Sequence, residues 1–338
     1  MMPDFSVAII GSGFAGIGMA ARLKRAGIGD LVLLERGEAL GGTWRDNSYP
    51  GAACDVPSHL YCFSFAPHPG WSRSFSPQPE IRDYLQRVAD DEHVTGHIRF
   101  GRDVTAVRWD VGGSRWHIET KGPGGETGAL TARFLVSAAG PLSDPLIPAI
   151  TGLENFAGTV FHSATWDHGH DLTGRRVAVI GTDASAVQFV PKIQPQVARL
   201  HLFQRTPPWI IPRRDRAITP AEHWLFRHAP VTQKVARASI YWAREGYALG
   251  FVKRPDIMTA VQRIALRHLY RQVSDPALRA DLTPAYRMGC KRILISHRLG
   301  HRRLQELVPG RRRAQRHTVA GLHLGVRLAD PPFRRGQL

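Results

Sequence analysis

Cysteine is scarce in this sequence: Cys54, Cys62 and Cys290 are the only three in 338 residues. An odd number without a C-x-x-C pair fits reduced thiols better than a disulfide framework or a zinc site. The sixteen histidines are scattered, with no H-E-x-x-H spacing, so no metal is expected. No apolar run reaches the roughly 20 residues of a membrane-spanning helix. A basic start followed by an apolar core and cleavage site is also lacking, so the expected compartment is the cytoplasm.

Acidic residues run short in one region only. Residues 1–150 carry 14 Lys+Arg against 16 Asp+Glu, and 151–212 carry 5 against 4. Residues 213–338 carry 26 against 8, which accounts for the net charge of +17. No helix-turn-helix, RNA-recognition or finger signature accompanies that excess. Nucleic acid is therefore not an expected partner, and membrane contact is at most peripheral. The 43% apolar and 22% charged content describes a soluble globular chain, long enough for two domains.

What is present begins at once. Phe5 to Ile10 is a buried-strand run, followed by Gly11-Ser-Gly13-Phe-Ala-Gly16 and a helical stretch to Ala26. Gly11 permits the tight turn, Gly13 lets backbone amides approach a pyrophosphate, and Gly16 lets helix and strand pack closely. The helix N-terminus then faces the phosphates with free N–H groups and its positive dipole end. Glu35 ends the next strand about twenty residues on, where a carboxylate accepts hydrogen bonds from an unphosphorylated ribose. Residues 79–91 read as an amphipathic helix, and 104–110, 115–120 and 130–137 as a β-meander between glycine-rich turns. The last of these ends in small residues through Gly140, as where a strand approaches a dinucleotide.

A second strand–turn–helix follows at 176–193. Its turn is Gly181-Thr-Asp183-Ala-Ser-Ala186, with Asp183 where a dinucleotide turn has its middle glycine. A side chain there obstructs the pyrophosphate and a carboxylate adds like-charge repulsion, so either the loop adjusts or nicotinamide binding is weakened. At the end of the next strand Arg205 stands near the place of the acidic ribose reader, the arrangement expected for a 2′-phosphate. Residues 220–282 are helical in composition, with the clearest stripe at Ile257, Val261, Ile264, Ala265, His268 and Leu269.

Between the two turns, residues 156–167 read F-A-G-T-V-F-H-S-A-T-W-D. Phe156, Gly158, His162, Trp166 and Asp167 match the pattern F-x-G-x-x-x-H-x-x-x-W-[P/D] position by position. With both turns beside it, the chain resembles the Baeyer–Villiger monooxygenases, flavoproteins that use FAD, NADPH and oxygen. The resemblance implies an α/β fold with two Rossmann-type dinucleotide-binding domains, for FAD and NADPH, and a helical insertion. Its boundaries would be 1–145 for the FAD-binding part, 146–212 for the linker and NADP-binding unit, and 213–285 for the insertion. Residues 286–296 would form a return strand, and 297–338 an atypical Arg-rich tail.

The resemblance also assigns roles. Gly42, Thr43 and Trp44 in G-G-T-W, with Tyr61 and Val104, would lie along FAD, and Asp55 near the reactive edge of its ring. Gly181, Thr182, Ser185, Arg205, Thr206 and Lys291 would hold NADPH. Arg292 would stabilise developing negative charge over the flavin, with Asp55 fixing its position. The implied reaction inserts one oxygen atom from O2 into a ketone. S- or N-oxygenation of a soft nucleophile and an inactive flavoprotein remnant are the alternatives. The family pattern breaks after Ser296, where 297–338 hold ten Arg, no Lys and two acids. A shifted reading frame or truncation, or else a genuine basic tail, explains that ending. Either way those residues lack a sustained period and are expected to add little to the core.

Overall fold

A computed structural model describes residues 2–253 and 255–297, together with the strand at 306–309. The first unit opens with β1 (Phe5–Ile10), α1 (Phe14–Arg25), β2 (Leu31–Leu34), α2 (Thr43–Asp46), α3 (Gln78–Asp91) and β3 (Ile98–Arg99). The meander follows as β4 (Asp103–Asp110), β5 (Arg115–Lys121) and β6 (Thr127–Ser137). All six strands form one sheet in the order β3-β2-β1-β6-β5-β4. β6 is long enough to serve two pairings. Its first half runs antiparallel to β5, and from Ala132 onward it runs parallel to β1. The apolar runs of β1 and β2 are buried because the sheet is covered here, by Ile17, Ala20 and Ala21 of α1 and by Ile81, Leu85 and Val88 of α3.

The second unit is a parallel sheet of β7 (Arg176–Ile180), β8 (Arg199–Gln204) and a third strand discussed below, with α4 (Ala186–Ile193) packed on it. Phe189, Val190 and Ile193 of α4 meet Val179, Leu200 and Leu202 of the strands. The chain then forms β9 (Ile210–Pro212) and four helices, α5 (Pro220–His228), α6 (Pro230–Val252), α7 (Pro255–Gln272) and α8 (Pro276–Leu282). A capping box starts α5, with Thr219 and Glu222 satisfying each other's backbone N–H groups. The return strand β10 (Leu294–Ser296) pairs in parallel with β9. No helix among the described residues is long and apolar enough to cross a membrane.

One stretch of the basic tail forms a regular element. Within residues 297–338, Glu306–Pro309 forms a strand, β11, that pairs in parallel with β8 along its whole length. Four residues are too few to show a period, and the free edge of β8 supplies the pairing. The rest of the tail, including Arg311 to Arg313 and Arg334-Arg335, lies outside the described residues. On the first sheet, Phe134 is 57% exposed, on the part of β6 that pairs with β1 alone among the described strands.

Helix and strand approach closely at Gly16, where a Cβ would overlap the carbonyl oxygen of Gly11. Gly16→Ala is expected to destabilise the protein by about 3 kcal/mol, the upper range for overpacking against rigid backbone. Urea unfolding of the two proteins measures the difference.

Candidate active site between two glycine turns

The first turn has the geometry of an anion seat. Gly11 has φ +97° and donates to Leu34 O at 2.8 Å, and a Cβ on it would come 2.7 Å from Ala138 O at the end of β6. Gly13 caps α1 with no side-chain cap, and no acid occupies the first turn, so the helix amides stay available. Gly42, at φ +50°, faces it closely; a Cβ there would lie 3.3 Å from Gly13 Cα. The gap is thus walled by backbone from two glycine segments, which fits the pyrophosphate of a dinucleotide. Gly140, at φ +76°, follows β6 where that strand leaves the turn. Val104 instead packs its side chain at the margin of the Ile118–Leu130 cluster in the meander.

Glu35 is buried and accepts four hydrogen bonds from its own chain. Oε2 takes the Ser12 N–H (2.9 Å) and hydroxyl (2.7 Å), and Oε1 takes the Gly37 N–H (2.8 Å) and Arg45 (2.6 Å). A ribose hydroxyl must therefore replace one of these donors, and the Ser12 hydroxyl, a single rotor, is the most easily exchanged. Burial pushes the carboxyl up, but the hydrogen bonds from Arg45, Gly37 and Ser12 outweigh it and hold it below the usual range.

Beside the turn, Trp44 Nε1 donates to the Tyr61 hydroxyl at 3.0 Å with the rings nearly perpendicular, and Phe14 meets Tyr61 edge-on at 5.1 Å. Burial pushes Tyr61 up to about 12, so the hydroxyl stays neutral. The Cys54 thiol is likewise raised to about 12 by burial and is no nucleophile. Thr43 is exposed at the start of α2. Next to Cys54, the carboxylate of Asp55 accepts a hydrogen bond from Arg292, which lies just before β10. The charges of this pair reach both Tyr61 and Tyr49.

The second turn fits a pyrophosphate less well. Gly181 has φ +107° and is bonded to Phe203 O, but Asp183 Oδ1 accepts from the Ala184 N–H at 2.8 Å. A carboxylate of the chain thus occupies a donor that would face a phosphate. Thr182 lines an apolar cleft walled also by Val190, Leu202, Trp209 and Leu269. Arg205 is exposed at the end of β8 with Thr206 half-buried beside it, and Lys291 lies 5.1 Å above the Tyr286 ring. Ser185 is half-buried at the N-cap of α4.

In the linker, His162 accepts the Ala164 N–H and so caps a short 3-10 turn. Trp166 packs between Phe161 and Phe189 of α4, and Asp167 accepts the Gly169 N–H. Gly158 lies under the Phe156 ring, which is 40% exposed. One residue on, His168 reaches Ser48 in the loop after α2 at 2.8 Å.

A model of pyridine nucleotide-disulphide oxidoreductases matches residues 8–222, and so takes in both turns. The chain belongs to that family. A Baeyer–Villiger monooxygenase of Streptomyces coelicolor is 57% identical over 290 residues, 86% of this chain and 55% of the relative. One of Pseudomonas aeruginosa is 50% identical, over 86% of this chain and 54% of its own length. The chain thus spans little more than half the length of these curated relatives. Among solved structures, a steroid monooxygenase bound to NADP superposes with TM-score 0.76 at 30% identity, covering 91% of this chain and 65% of the other. OTEMO in complex with FAD and NADP gives 0.78 at 27%, covering 91% and 66%. These relatives bear out the resemblance carried by residues 156–167, and the two-Rossmann α/β fold with it.

Several residues that support the site were not singled out in the sequence. Gln188 on α4 bonds both backbone groups of Ala53, and Arg237 on α6 donates to the carbonyls of His59 (2.8 Å) and Cys62 (3.1 Å) in the loop carrying Tyr61. Arg213 donates to Phe75 O, lies over that ring at 5.0 Å and has no partner for its buried Nε among the described residues. Burial lowers its pKa, with Asp215 opposing. A polar residue on the apolar helix 186–193 was the one available signal, and it pointed to Gln188.

Glu35→Gln is expected to cost about 2–3 kcal/mol at neutral pH. Because the folded-state pKa is depressed, this contribution is complete above the ordinary carboxylate value of about 4.3 and fades as pH falls through the folded value. Urea unfolding of both proteins between pH 7 and pH 3 should show the gap closing. Asp183→Gly, which removes the carboxylate from the second turn, is expected to tighten NADPH binding about tenfold, or about 1.4 kcal/mol. Calorimetric titration measures it, and unchanged or weaker binding refutes the obstruction.

Proposed function

We propose that this chain carries the cofactor-binding core of an FAD- and NADPH-dependent monooxygenase that inserts one oxygen atom of O2 into a ketone. The observation that carries the reading is the Asp55–Arg292 ion pair, set beside the aromatic cluster of the first turn. FAD, when bound, supplies the chemistry that no side chain can: it accepts hydride from NADPH and activates O2. Gly13, Gly42 and the α1 amides would hold its pyrophosphate, Glu35 its ribose, and Trp44 and Tyr61 its ring. Thr182, Arg205, Thr206 and Lys291 would hold NADPH, the two cations meeting the 2′-phosphate.

Arg292 presents a permanent cation to the oxyanion that develops as oxygen adds to the carbonyl, a preorganised role that costs no rearrangement during reaction. Asp55 orients the guanidinium. The substrate is a small carbonyl compound, and the compartment we assign is the cytoplasm. The relatives named as Baeyer–Villiger monooxygenases and the FAD- and NADP-bound neighbours support this reading.

The purified protein is expected to be yellow, to release FAD on denaturation, and to convert ketone to ester or lactone with NADPH in air. Arg292→Ala should retain FAD affinity within about threefold and lose ester formation by at least about 100-fold. Thioether sulfoxidation without ester formation would replace this reading with S-oxygenation, and an absence of flavin with the remnant.

A further inference from the structure

Helix α4 stands between the two turns, and one of its side chains holds the loop that ends in Asp55. Gln188 accepts the Ala53 N–H through Oε1 at 3.1 Å and donates through Nε2 to Ala53 O at 3.0 Å. This amide thus pairs with one residue as a neighbouring strand would. The opposite edge of the same segment is already engaged, since Ala52 O accepts from Gln78 N–H and Cys54 N–H donates to Ser76 O. Ala53 therefore depends on Gln188 for both of its backbone groups.

The contact reaches the second turn as well. The Tyr49 hydroxyl donates to Gln188 Oε1 at 3.2 Å and also meets the Ser185 side chain, while its ring packs edge-on against Phe189 at 5.9 Å. Between Tyr49 and Ala53, Gly51 has φ +85°, and a Cβ on it would lie 3.0 Å from Lys192 Cγ and 3.2 Å from Gln188 O. The loop therefore rests directly on α4. On the preceding residue, Val187 O accepts from the Ser296 hydroxyl at 3.5 Å, at the end of the strand that follows Arg292. One helix touches the supports of both partners of the ion pair and begins at the turn that would take NADPH.

We propose that Gln188, with Tyr49, is a positioning pair that couples the two nucleotide sites, so that occupancy of the Gly181–Ala186 turn and the setting of Asp55 depend on each other. The coupling rests on the functional reading of those sites as FAD and NADPH sites. Packed elements shift as units and do not deform continuously, so α4 carries a displacement at its N-terminus to Ala53, two residues from Asp55. Coupling of this kind is reciprocal: FAD changes nicotinamide affinity by the factor with which the nicotinamide changes FAD affinity.

The test is titration of NADP+ into the full chain, with and without saturating FAD. FAD should tighten NADP+ binding by at least about fivefold, the lower end of ordinary coupling. In Gln188→Ala and Tyr49→Phe the ratio should fall to within about twofold of unity. Gln188→Glu should follow Gln188→Ala, because it keeps the acceptor contacts but loses the donor to Ala53 O. Melting curves establish that each variant is folded, and Tyr49→Phe, which keeps the ring on Phe189, carries the test if a Gln188 variant is not. A residue that is only structural would weaken both ligands and leave their ratio unchanged. That outcome, or a ratio near unity in the parent, overturns the coupling while FAD uptake leaves the functional reading standing. A parent that binds no FAD overturns both.

Discussion

The Asp55–Arg292 ion pair joins residues 237 positions apart, and much of the fold serves to bring them together. Asp55 arrives on a loop threaded between α3 and α4, and Arg292 on the chain entering β10, which is held by β9. As an exposed pair it adds little stability; side-chain exposures of 34% and 56% put it in the class worth about 1 kcal/mol or less. Its value lies in placement. In the proposed function, a guanidinium held in position provides a fixed cation where charge would develop.

The parts of this arrangement that depend on neighbouring residues were legible in the sequence. Strand, glycine turn and helix at 5–26 and 176–193 follow from local pattern, as do the amphipathic α3 and the meander. The fingerprint from Phe156 to Asp167 placed the chain among its relatives, although no single residue in it shows why. In the structure His162 caps a turn and Trp166 packs on α4, so the motif reads chiefly as a linker that holds its shape.

What was not legible arises from contacts distant in sequence. Nothing near Glu35 announces that Ser12 and Arg45 will satisfy its oxygens, nor does anything near Gln188 announce Ala53. Glu306–Pro309 was missed for a related reason: a four-residue strand is defined by the edge it joins more than by its own pattern. Asp183 is the opposite case. Its misfit to a pyrophosphate turn was plain from residue type, and the structure adds that its carboxylate already occupies the Ala184 amide.

The central claim is that the cation must sit at position 292 and that pairing alone is insufficient. The charge-swapped protein, Asp55→Arg with Arg292→Asp, tests this most directly when its unfolding free energy and ester formation are measured beside those of the two single variants. The swap should restore stability to within about 1 kcal/mol of the parent, as expected for an exposed pair remade in reverse. Ester formation should remain at least about 100-fold down, because the cation has moved to position 55. Recovery of both stability and ester formation in the swapped protein would contradict the account.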